Sequence, residues 1–190
     1  GSNSTWALSE AVNIASGSLT IQNGGTLTMD NRITGSGSLT VSGPGKVILT
    51  AGNNNYSGGT LLSGGALEIF GPVGSSGSTI TIQGGTLQIG SSMTVSQVMD
   101  LFSGGIQVNT GVTAQFTNPF TVEGPVTVTS QSSASSTISS PVTILAGSTL
   151  TLAGTGASTI SSAISGVGSL ICSGSSITLS GNNKIGRAHV

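Results

Sequence analysis

Five carboxylates are the side chains here that could serve as acid and base together: Glu10, Asp30, Glu68, Asp100 and Glu123. Glycoside hydrolysis needs two such groups flanking one bond. Polysaccharide lysis needs clustered carboxylates with calcium and a basic partner. Neither arrangement is visible in the spacing, because Asp30 and Asp100 lie 70 residues apart and Glu68 and Glu123 lie 55 apart. Asp30-Asn31-Arg32 is the one local polar cluster, and Asp and Asn favour turns, so we read it as a turn. A nucleophile would need an imidazole base, and the only histidine is His189, one residue from the end. Cys172 stands alone in a strand-like run. It reads as a small buried hydrophobe and makes neither an internal disulfide nor a metal cluster. Gly35-Ser36-Gly37 lacks the Lys-Ser/Thr ending of a phosphate loop. The expectation is therefore a chain that is not an enzyme and holds no metal or cofactor. Asn53–Asn55, Tyr56 and Trp6 remain as possible contact residues for a glycan or a protein, with turn and core roles favoured for Asn53–Asn55 and Tyr56.

Composition points to what must position these residues. Charged residues make up 5% of the 190 and the formal net charge is −1, against roughly 25% charged in an ordinary globular domain. That charge gives no electrostatic route to nucleic acid or to an anionic membrane. A hydrophobic fraction of 35% is too large for a disordered chain. No apolar run approaches the ~18 residues of a spanning helix.

The chain repeats itself. Gly24-Gly25-Thr26-Leu27-Thr28-Met29 returns as Gly64-Gly65-Ala66-Leu67-Glu68-Ile69 and as Gly84-Gly85-Thr86-Leu87-Gln88-Ile89, with a looser copy from Gly104. The starts are multiples of twenty apart, and Pro44-Gly45 with Val47 and Leu49 fills the slot at 44. A second series runs through Gly17-Ser18-Leu19, Gly37-Ser38-Leu39 and Gly77-Ser78-Thr79. Within each unit, Leu, Ile, Val or Met alternates with Thr, which is the period of a half-buried strand. Met93–Phe102 leaves a short helix open as the minority reading.

One short strand with a glycine turn cannot bury its apolar face alone, whereas stacked copies can. The expected fold is all-β: a single-stranded, right-handed parallel β-helix of about 20 residues per coil. About nine coils would stack ~4.8 Å apart. In such a stack each residue lies over its equivalent in the next coil, where like charges repel. Neutral Thr, Ser and Asn can instead hydrogen-bond along the column, which accounts for the scarcity of charge.

Over Ile33–Ile69 the sequence resembles the autotransporter-associated β-strand repeat of bacterial surface-protein passengers. The residues that carry the likeness are Ile33, Gly35, Gly37, Ser38 and Leu39, then Gly43, Gly45, Leu49, Gly52, Asn54, Tyr56, Gly58, Gly59 and Thr60, and finally Gly64, Gly65, Leu67 and Ile69. Asn55 stands where that family usually has Thr. A second copy starts at Ile164-Ser165-Gly166-Val167-Gly168-Ser169-Leu170 and continues to Asn182-Asn183. There the chain turns to Lys184-Ile185-Gly186-Arg187-Ala188-His189-Val190. This heptapeptide resembles the translation of a short-read sequencing adaptor, and a genuine basic tail is the alternative. The expected organisation is thus a β-solenoid fragment over residues 1–183 and a non-native tail over 184–190.

The resemblance implies a stalk or passenger segment, secreted or displayed at the bacterial outer membrane, whose parent chain is linked to an outer-membrane β-barrel. It also implies display of a distal module and an aid to export. The alternative is an adhesin whose outer face binds a surface glycan or a host protein, and a β-helix polysaccharide lyase or hydrolase fragment ranks third.

Overall fold

The computed structural model describes residues 4–189, and of the last three of these only the backbone. Short strands of three to six residues fold into a right-handed parallel β-solenoid, and no helix forms among the described residues. Each coil visits three faces in order. The first face is a ten-stranded sheet that starts at Thr5–Leu8 and ends at Arg187–His189. The third is an eight-stranded sheet from Ser18–Ile21 to Ile164–Gly166. The second face is interrupted. It holds Val12–Ile14 paired with Ile33–Gly35, and later five strands from Met93–Val95 to Ser176–Leu179. Between these two sets, the coils at 50–59 and 70–78 cross the second face without a strand.

Nine rung steps at ~4.8 Å each give the first face a length of about 43 Å. The register holds the sequence period but lets it breathe. Thr26 pairs with Lys46 and Lys46 with Ala66, twenty residues per coil. Ser169 to Arg187 takes 18 residues and Pro125 to Thr149 takes 24. Extra residues enter at corners, where they leave the ladder bonds intact.

Alternation becomes columns. On the first face, Leu27, Val47, Leu67, Leu87, Ile106, Val128 and Leu152 lie one above another. From Val47 onward this column is buried. The third face stacks Leu39, Thr60, Ile80, Met99, Phe120, Val142 and Ile164 inward. Phe116 on the second face meets Phe120 edge to face, with ring centres 5.3 Å apart. Each aliphatic side chain so buried contributes about 1.5–3 kcal/mol, which offsets the entropy of fixing a glycine-rich backbone. Met93–Phe102 resolves into two strands, Met93–Val95 and Val98–Leu101, so the helical reading of it falls.

Two expectations need adjustment. Outer hydroxyls seldom bond to one another along a column; Thr143 with Ser165 at 3.5 Å is one case, and Ser18 with Thr40 at 3.1 Å is a diagonal contact. More often a hydroxyl donates to a backbone carbonyl of the coil below, as Thr50 does to Met29 and Ser91 to Phe70. The carbonyl is nearer to the strand surface than the next side chain, so it wins. Cys172, expected in the core, is only partly buried, at the sparsely covered end of the inward column above Leu152. Burial still pushes its thiol above the ordinary range.

Candidate functional site

The residues of the repeat motif meet where the second face lacks strands. Asn54 is 2% exposed and takes the place of a ladder partner. Its Oδ1 accepts the backbone N–H of Ile33 at 2.8 Å, one coil below, and its Nδ2 donates to the Ala51 carbonyl at 2.9 Å. The side chain thus satisfies backbone groups that a strand would otherwise satisfy. Tyr56 follows, fully buried, its ring filling the core where the wall is a loop. Its hydroxyl and the Thr60 hydroxyl are 2.6 Å apart and both are buried. Thr60 is the polar member of the inward column of the third face, and it is there to meet Tyr56. Burial holds the Tyr56 phenol well above the usual tyrosine range, and the Thr60 bond offsets part of that.

The glycines let coils touch. Gly35 has φ +106°, and a β-carbon on it would run into the carbonyl oxygen of Ile14. Gly37 donates its N–H to that same oxygen at 2.8 Å, and a β-carbon there would strike the Ile14 side chain. In the second copy, Gly166 has φ +108° and faces the carbonyl of Ile144, while Gly168 faces the Ile144 side chain. Asn183 accepts the N–H of Ile164 at 3.1 Å, as Asn54 does for Ile33. Of the other motif residues, Leu39 and Leu67 are fully buried core side chains. Gly58, Gly59, Gly64 and Gly65 all stand against the backbone of an adjoining coil.

Besides the missing counterpart of Tyr56 after Asn183, the two copies differ in their placement. Ile33–Gly35 lies on the second face and Ser38–Val41 on the third, whereas Ile164–Gly166 lies on the third and Ser169–Cys172 on the first. The later copy is turned by one face. The motif therefore encodes contacts with the coil below and is indifferent to the side of the rod.

The carboxylates are dispersed. Glu68 is held by Lys46 at 2.7 Å and accepts the Asn109 amide at 2.8 Å; Asn109 in turn accepts from Gln107 at 2.9 Å. This network braces several rungs of the first face. Asp30 accepts from the Thr50 hydroxyl at 3.1 Å. Asp100 lies opposite Thr121, with Glu123 two residues beyond on the adjoining rung, and Glu10 sits in the first coil. The structure brings none of these into a groove with Cys172. A shallow groove of about 410 Å³ crosses the third face over Gly58–Leu61, and Ser38, Thr40, Ser57, Thr79 and Thr81 line it.

Sequence reasoning missed a buried hydroxyl triad. Ser130, Ser136 and Ser158 point inward and bond to one another at 2.9, 3.0 and 3.1 Å. The available signal was period two, since each lies two residues from Val128, Ile138 or Ile160.

Arg187–His189 pairs in parallel with Ser169–Ile171, and Lys184 bridges to Ser165, so most of the terminal heptapeptide follows the coil whatever its origin. The family model described as the passenger-associated-transport-repeat matches residues 39–69. That span lies within Ile33–Ile69, the stretch with the autotransporter likeness, and with the parallel solenoid it fits an autotransporter passenger segment. No curated protein and no solved structure matches the chain.

Proposed function

We propose that the chain is a non-catalytic scaffold segment of an autotransporter passenger, carried to the bacterial surface by a parent chain linked to an outer-membrane β-barrel. One observation carries this reading. The match to the passenger-associated-transport-repeat falls on the coils where Asn54 and Tyr56, the latter bonded to Thr60 of the third face, close the core where the second face has no strand. The motif is thus spent on coil-to-coil fit, which is what a long stalk needs.

The physical case for a role in export is vectorial. In a solenoid each coil contacts only its neighbours, so folding can propagate along one axis as the chain emerges. A stable coil outside the membrane then resists backsliding of the chain still inside. Low charge and the lack of cysteine pairs suit passage as an unfolded thread. Removing these coils from a barrel-linked passenger, and measuring how much distal module reaches the surface, tests the idea. Reduced surface display is expected; undiminished display without the coils would refute it.

The adhesin reading keeps Trp6, which is 65% exposed, and gives up two of the other residues assigned to it. Tyr56 and Asn54 are buried, so neither can touch a ligand; Asn53 and Asn55 stay exposed. A glycan or matrix protein could meet only Asn53, Asn55 and Trp6 of these, or the rest of the outer surface.

A further inference from the structure

The corner that follows the first face is one column, a residue per rung: Asp30, Thr50, Phe70, Gly90, Asn109 and Gln131. Their N–H groups donate in turn to the last inward residue of the strand below, from Leu8 and Met29 through Leu49, Ile69 and Ile89 to Val108. Phe70 is the only aromatic in the column and is 40% exposed. Its ring lies against the rod. A β-carbon built on Gly90 would be 2.8 Å from Cζ and 3.0 Å from both Cε1 and Cε2. Near-equal distances to three ring atoms put the face of the ring over Gly90, with its edge pointing aside. One ring face rests on bare backbone, and the residue as a whole keeps 40% of its surface in solvent. The Ser91 hydroxyl donates to the Phe70 carbonyl at 2.7 Å and fixes the residue from the rung above.

Hydrogen-bonding groups flank this platform along the axis. Below it, Thr50 donates to Asp30. Above it, the Asn109 side chain reaches back past the Gly90 rung to Glu68, and Gln131 accepts from Thr110 at 3.1 Å. Thr50 to Asn109 is three rung steps, about 14 Å.

We propose that this corner is a glycan-binding row for an extended, uncharged oligosaccharide lying parallel to the rod axis. Phe70 is the platform on which the C–H face of one sugar ring stacks. To one side the Thr50 oxygen, its proton directed to Asp30 or Met29, accepts from a sugar hydroxyl, and to the other the second N–H of the Asn109 amide donates to one. The column carries one carboxylate, Asp30, with Glu68 beside it, and Lys46 is already committed to Glu68, so an acidic glycan is disfavoured. A single ring among small neutral side chains is far short of the roughly 800 Å² per partner of a standard protein interface. This site is independent of the scaffold role.

The test is calorimetric titration of the whole chain with cellohexaose and chitohexaose, and with oligogalacturonate as the acidic control. Saturable binding of a neutral hexasaccharide is expected, at least ~tenfold weaker for Phe70→Ala, kept by Phe70→Trp and unaltered by Phe102→Ala. Gly90→Ala, which lifts the ring and leaves it present, should also weaken binding. Circular dichroism confirms that each variant keeps its strands. The proposal is overturned if neither neutral oligosaccharide binds, if Phe70→Ala binds as well as the parent, or if the acidic sugar binds best. Loss of a purified protein partner on Phe70→Ala, with no sugar bound, would likewise overturn it.

Discussion

Tyr56→Phe removes one oxygen and no carbon from the core, and its cost isolates the Tyr56–Thr60 hydrogen bond. The two hydroxyls are 2.6 Å apart, in residues 0% and 3% exposed. Without the phenol oxygen, the Thr60 hydroxyl stays buried with its partner gone, which costs about 1–3 kcal/mol. In a chain of 190 residues each kcal/mol lowers the melting temperature by about 2–4 °C, so a drop of roughly 2–12 °C is expected. Thr60→Val alone should cost a similar amount, because it strands the phenol instead. The double variant Tyr56→Phe/Thr60→Val leaves neither group unpaired, and Val suits the strand position, so it should recover most of the loss. Thermal unfolding followed by circular dichroism measures all four proteins. Amide exchange should place the weakening at the rungs of Leu39 and Ile80, which neighbour Thr60 in the column. If Tyr56→Phe costs nothing, or if the double variant loses the sum of the singles, the bond is not what holds the motif loop against the core.

Asn54→Ala should orphan the Ile33 N–H and cost about 1–3 kcal/mol, read as a lowered melting temperature. Gly35→Ala and Gly166→Ala should each destabilise by about 1–3 kcal/mol from backbone strain alone, with the carbonyl clash added; matched losses in thermal melts would confirm that the two copies are built alike. Tyr56 is the sole tyrosine and its folded-state phenol titrates above the free value. Its contribution to stability is therefore full below about pH 10 and is lost progressively as pH rises from there toward the folded value. Phenolate absorbance should appear only with unfolding, and Tyr56→Phe should flatten that alkaline loss. Ser158→Ala should cost more per hydroxyl than replacing Ser130, Ser136 and Ser158 together by Ala, because the single change leaves two buried serines with a broken ring; melting temperatures decide it.

The alternation of Leu39 with Thr40 and of Leu67 with Glu68 told inside from outside, and the twenty-residue spacing told rung from rung. Those two facts were enough for the parallel stack and for most of the core. They were silent on which face a strand occupies, because a face is defined by corner lengths, and corners of Gly, Ser and Asn look alike in sequence. Hence the strandless second face at 50–59 was not legible, nor was the rotation of the second copy. Tyr56 was legible both as a motif residue and as a ring covering the core at a loop, whereas the depth of Asn54 was not, since an Asn between two other Asn reads as a surface turn. The inward serines were hidden for the opposite reason. Nothing apolar marks Ser136 or Ser158, and only the distance to the next isoleucine hints at their direction. The Lys46–Glu68–Asn109 network joins residues up to 41 apart, which no local pattern reports.

The one-face rotation between the motif copies has a geometric corollary. A loop whose only requirement is a fit to the tread beneath it can begin at any bearing, so a run of such copies would wind like a spiral stair. Two copies set one face apart leave the third side for a further one before the pattern closes. Anything mounted on those loops would then point to each of the three sides of the rod in turn, leaving none of them bare.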